Sequence, residues 1–90
     1  DPDALCFPRD VEVVGDDLYI ADTNNHVIRK YNLVTDTLTT VAGAFAEGPT
    51  EMNADALSAT LNTPHGIDVA TDGTVLIADT YNHQILMVYP

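Results

Sequence analysis

The stretch Tyr19-Ile-Ala-Asp-Thr-Asn-Asn-His-Val-Ile28 returns as Leu76-Ile-Ala-Asp-Thr-Tyr-Asn-His-Gln-Ile85, with seven of ten positions identical at an offset of 57. The equivalence extends outward, because Phe7-Pro8-Arg9-Asp10-Val11-Glu12-Val13 aligns with Thr63-Pro64-His65-Gly66-Ile67-Asp68-Val69 at an offset of 56. One added residue in the turn before Thr74 accounts for the slip. A long fixed period marks repeat architectures, in which one supersecondary unit cannot bury its own faces and stacks on its neighbours. The sequence therefore divides into two units, 1–62 with connecting segments on both sides and 63–90.

Within the first unit, Val11 to Val14 reads as a short strand closed by the turn cluster Gly15-Asp16-Asp17. Leu18 to Ala21 follows without polar alternation, a pattern that predicts burial on both faces. Asp22-Thr23-Asn24-Asn25 makes the next corner, with the Asp22 side chain as its fastener. Val27 to Asn32 is a third strand whose Arg29 and Lys30 predict an outer position in contact with solvent. After Thr35-Asp36-Thr37, the β-branched run Leu38 to Ala42 supplies a fourth strand. Four short strands joined by tight turns form an antiparallel meander, the content of one propeller blade. Gly43 to Thr60 interrupts the strand pattern, with a helical turn predicted at Asp55 to Ala59. The second unit repeats three of the strands, at Gly66 to Ala70, Thr74 to Ala78 and Gln84 to Tyr89, with Asp72-Gly73 as a hairpin signal and with burial on both faces predicted for Val75 to Ala78 as well. It has no equivalent of Leu38 to Ala42.

Fourteen acidic residues against Arg9, Arg29 and Lys30 leave a net charge of −11. Such a chain repels nucleic-acid phosphates and anionic membrane surfaces, which argues against both as partners and leaves basic partners or cations open. The same carboxylates also serve simply to keep an exposed surface soluble. Cys6 is the single cysteine, so an internal disulfide and a thiolate zinc cluster are excluded. It reads either as a small buried hydrophobe or as one half of an interchain disulfide, which implies an oxidising, extracellular setting. With no initiator Met, no signal-peptide pattern and no bilayer-length apolar run, the sequence reads as a piece of something longer.

Pro-x-Gly before a short strand, then Ile-Ala-Asp-Thr-x-Asn-His and an apolar strand, resembles the NHL repeat, a family of β-propeller blades. Pro64 to Val69, Asp72 to His83 and Leu38 to Gly43 carry the likeness. It implies an all-β fold of about two four-stranded blades, part of a larger and usually six-bladed ring, with Val11 to Val14 and Gly66 to Ala70 lining the channel. Two departures from the pattern are Asp10, where the family has Gly, and the carboxylates Glu12 and Asp68, where it commonly has a small apolar residue.

His26 and His83 occupy one repeat position, as do Asp22 and Asp79, and a residue repeated in each unit is explained by a corner that each unit must make. His65 differs, since its counterpart is Arg9. The amidating lyases, similar to this family in fold, have a zinc-binding His at a matching position, so the resemblance makes His65 a candidate metal ligand. Zinc needs three or four converging ligands, and this sequence offers one such His. Glu12 and Asp68 sit at equivalent points on neighbouring inner strands, where the readings open to them are to hold a hard cation such as calcium, to serve as acid and base, to pair with cations from another blade, or to face channel water. No cofactor is required by these patterns, and neither a nucleophile elbow nor a phosphate-cradling loop is present.

The sequence thus points to a non-enzymatic propeller segment serving protein interaction or self-assembly, with a fragment of a metal-dependent lyase-like or lactonase-like propeller enzyme as the alternative. The assembly reading rests on Ile85-Leu86-Met87-Val88-Tyr89, which has apolar residues on both strand faces where the first unit carries Arg29 and Lys30. That edge calls for a covering strand, from further copies of the chain or from other blades of the same protein.

Overall fold

The computed structural model describes residues 4–48 and 55–90. Seven strands form two antiparallel sheets: β1 (Pro8–Val14), β2 (Asp17–Asp22), β3 (Val27–Asn32) and β4 (Thr37–Ala42) in the first, then β5 (Gly66–Val69), β6 (Val75–Asp79) and β7 (Gln84–Val88) in the second. Each sheet follows chain order, so each is a meander of four and three strands respectively. The all-β reading holds, with antiparallel meanders in two sheets. Ser58 and Ala59 donate their backbone N–H groups to the Asp55 carbonyl, which makes the single helical turn expected there.

Strand pairing fixes which residues share a face, because side chains alternate and directly paired residues point the same way. Ile67 lies across from Ile77 and Ile77 from Leu86, while Val69, Val75 and Val88 form the adjoining row. These rows make one apolar face of the second sheet. The first sheet answers with Ala21, Ile28 and Ala42 in one row, joined by Tyr19. The two faces pack together with Leu61 from the connection into a single core. Ile28 and Ile77 are fully buried, and such burial contributes about 1.5–3 kcal/mol per side chain.

Gly43 follows β4 with φ +99, and a Cβ there would run into the His26 carbonyl oxygen. Only glycine fits, since both the dihedral and the backbone contact exclude a side chain.

Two expectations are corrected. Val75 to Ala78 is buried on one face only: Val75 and Ile77 point into the core while Leu76 and Ala78 are half-buried on the other side. Tyr19, Ile20 and Ala21 come closer to the expected double burial, with Leu18 half-buried. The second correction concerns β3, which lies between β2 and β4 and is no outer strand. Arg29 is 3% exposed, 3.7 Å from the Asp22 carboxylate, and its guanidinium stacks 5.3 Å from the Phe45 ring centroid. A charge this buried persists because an opposite charge and an aromatic face compensate its lost hydration. Arg29 is therefore part of the packing, not a solvated edge.

Candidate functional site

The corner that ends each second strand is built the same way twice. Thr23–Asn25 and Thr80–Asn82 form single 3-10 turns, each ended by a left-handed histidine, His26 at φ 58 and His83 at φ 56. The carboxylate ahead of each turn ties the corner to the incoming connection. Asp22 accepts from the Cys6 N–H at 2.7 Å and the Asn25 side-chain amide at 2.9 Å; Asp79 accepts from the Asn62 N–H and the Asn82 amide, both at 2.8 Å. Asp22 is thus the fastener that its position suggested, with Asp79 its repeat.

The first corner also reaches across to the second blade. Thr23 Oγ1 donates to the Pro64 carbonyl at 2.7 Å, and the Thr63 N–H donates to His26 Nδ1 at 2.9 Å. An accepting Nδ1 carries no proton, so the neutral ring is protonated on Nε2, which faces the Glu47 carboxylate at 3.9 Å. A third bond runs from the Ile67 N–H to Asp10 Oδ2 at 2.9 Å, while Asp10 Oδ1 accepts from the Val11 N–H. Three directional bonds therefore clasp the blades where β1 and β5 begin. Toward the opposite strand ends the joint opens into a cleft of about 420 Å³, bordered by Tyr19, Lys30, Val75 and Val88.

The chemically suggestive residues do not converge. Glu12 lies across from Tyr19, on the face of β1 turned into the joint. Asp68 lies across from Leu76, on the face of β5 turned away from it. The second sheet separates them. His65 meets the Tyr81 ring with centroids 6.0 Å apart. Among the described residues, no three His, Cys, Asp or Glu side chains form a metal-sized group. Cys6 is half-buried with a free thiol. Within 85–89, Leu86 and Val88 pack on the core, while Ile85, Met87 and Tyr89 are exposed.

The NHL repeat family model matches residues 5–31 and 61–86, together more than half the chain. The chain belongs to the NHL repeat family. Both matched segments take in a corner turn and the strands that flank it, so the NHL signature coincides with the structure that recurs here. NHL repeat-containing protein 2 of Bos taurus is 36% identical over 69 residues, covering 76% of this chain and 9% of that protein. The Homo sapiens protein of the same name gives the same identity and coverage, and that of Gallus gallus is 44% identical over 45 residues, 50% of this chain and 6% of the relative. The chain spans less than a tenth of the length of these curated relatives.

Sequence reasoning assigned the NHL histidine to its corner and missed its bond to the next blade. The signal was present in the repeat offset, which already set His26 ahead of a second copy of the segment it follows. Asp10, a departure from the family pattern, gains a role in the structure as the acceptor of the Ile67 N–H. A Cβ on Gly66, its counterpart, would meet only ordinary contacts, at 3.7 Å from Ala78 and 3.8 Å from Asp10, so side chains at this position are sterically admissible.

Proposed function

We propose that this NHL segment is a non-enzymatic scaffold for assembly and protein interaction, working through its sheet faces and the outer edge of β7. The observation that carries this reading is the apolar surface left after the two blades have packed. Ile85, Met87 and Tyr89 are 70%, 52% and 75% exposed, and among the described residues β7 has β6 as its only strand neighbour. A strand edge of this kind templates pairing with another chain, and an apolar patch of several residues marks a contact surface. The covering strand beside 85–89 comes from another copy or from other blades of the same protein.

The metal-dependent enzyme alternative draws no support from the described residues, where His65, Glu12 and Asp68 stand apart. Light scattering across a concentration series tests the assembly reading. The expected outcome is a mass that grows beyond the 9.7 kDa of one chain. A soluble monomer with a sharp thermal transition at every concentration would overturn it.

A further inference from the structure

His26 stands between two partners that suit different charge states of its ring. Nδ1 accepts the Thr63 N–H at 2.9 Å, and Nε2 lies 3.9 Å from the Glu47 carboxylate. Only the neutral imidazole has a lone pair with which to accept; once both nitrogens carry protons, Nδ1 is a donor aimed at another donor. The Glu47 contact has the reverse preference, because a carboxylate holds the charged ring more strongly than the neutral one. Histidine is the side chain that changes charge between about pH 5 and 8, so the two contacts compete within that interval.

The surroundings permit the exchange. The His26 side chain is 17% exposed, which gives solvent protons access to the ring, and that of Glu47 is 71% exposed. The segments that carry the two partners are tied to each other without the ring. Glu47 forms a parallel bridge with Leu61, and the Gly48 N–H donates to the Leu61 carbonyl at 3.2 Å. Glu47 and Thr63 therefore keep their places beside His26 whichever of them the ring takes. The other titratable groups around the corner have partners of their own. Asp22 holds the Cys6 N–H, the Asn25 amide and Arg29; Asp79 holds the Asn62 N–H and the Asn82 amide; the His65 ring meets Tyr81. β4, which leads into the Glu47 segment, contains no titratable side chain. Among the described residues, Glu47 is the one carboxylate within ion-pair distance of the His26 ring.

We infer that protonation of His26 releases the Thr63 N–H and turns the ring to Glu47, so that mild acid withdraws one of the bonds between the two sheets. One proton is taken up at Nδ1, and a neutral hydrogen bond is exchanged for a charge-assisted contact. The corner is thus a pH-sensitive latch. The Thr23 bond to the Pro64 carbonyl, one residue further on, contains no titratable group and keeps the sheets joined while the latch is open. Opening therefore loosens the connection ahead of β5 without parting the core. The latch lies within one chain and does not depend on the assembly reading.

Hydrogen exchange at the Thr63 amide tests this, read residue by residue on the full chain at a concentration that keeps it monomeric, and corrected for the intrinsic pH dependence of exchange. Protection of Thr63 is expected to fall about fivefold from neutral pH to about pH 5, the factor that matches the net worth of one hydrogen bond. His26→Asn is the deciding variant. Asparagine tolerates the left-handed backbone, and its Oδ1 stands where Nδ1 stands, so it accepts the bond without titrating. Thr63 in this variant should stay protected at both pH values. His26→Ala has no acceptor, and its Thr63 should exchange at neutral pH as the unaltered chain does in acid. Unchanged Thr63 protection in the unaltered chain would overturn the latch. So would a loss in His26→Asn as large as in the unaltered chain, since another group would then be titrating. Circular dichroism melting checks that the variants fold. If His26→Asn does not, His26→Ala decides alone: Thr63 protected in it at neutral pH as in the unaltered chain would show that the ring is not what holds the amide, and would overturn the inference.

Discussion

A single histidine position shows how the repeat separates local from inter-blade roles. His26 and His83 share the left-handed conformation and the bond from their own N–H to the threonine carbonyl three residues back, yet among the described residues only His26 accepts a bond from the other blade. Alanine at either position meets the same backbone penalty, while His26→Ala also strands the Thr63 N–H. At concentrations low enough to keep the chain monomeric, His26→Ala is expected to be less stable than His83→Ala by about 1 kcal/mol, the net worth of one such hydrogen bond. Urea melts of both variants measure the difference, and equal midpoints would mean that the bond contributes nothing. At this scale the sequence was partly legible. Asp22 and Asp79 announced their roles because their bonds are local to a turn. Asp10 did not, because its partner N–H lies 57 residues away and no short-range pattern encodes such a contact.

At the scale of elements, strands were readable because turn residues punctuate apolar runs twice over, and every strand that the pattern predicted is present. The burial of Arg29 was not readable, since a cation in a strand signals solvent unless its counter-charge and aromatic cover are known in advance. Asp22 comes from the end of β2 and Phe45 from the segment after β4, neither of them on β3. The β5–β6 hairpin offers a test of its own. The Asp72 carboxylate accepts the Thr74 N–H at 2.9 Å, and this bond holds the Asp72 pKa below its ordinary 3.8. A folded pKa below the unfolded one means that the contribution is present at neutral pH and is lost as pH falls through the folded value. The Thr74 amide shift in an NMR titration should therefore move with a midpoint below 3.8, and Asp72→Ala should abolish that titration. A midpoint at or above the ordinary value would show that the turn bond does not form.

The whole molecule carries a net charge of −11, so two copies repel at long range even where their faces fit. Raising salt from about 10 mM to about 150 mM shortens the screening length from about 30 Å to about 8 Å, which removes most of that repulsion and leaves apolar attraction. Association is expected to strengthen over this range by sedimentation; weakening would show that attraction between opposite charges drives it. The composition revealed this repulsion at once, while the faces that must overcome it emerged only when strand register assigned each residue a side.

The uneven joint has a mechanical consequence. Hydrogen bonds are directional and hold atoms to within tenths of an ångström, whereas apolar contact is non-directional and tolerates sliding. The three bonds described above between the two sheets lie at the strand ends where β1 and β5 begin, and the opposite ends part around the cleft beside Tyr19 and Lys30. The pair is thus pinned along one margin like the leaves of a fan, with the spread between leaves set by the bulk of the side chains wedged at the far margin. Curvature becomes a property that a few substitutions at the rim can retune, while the pins stay where they are.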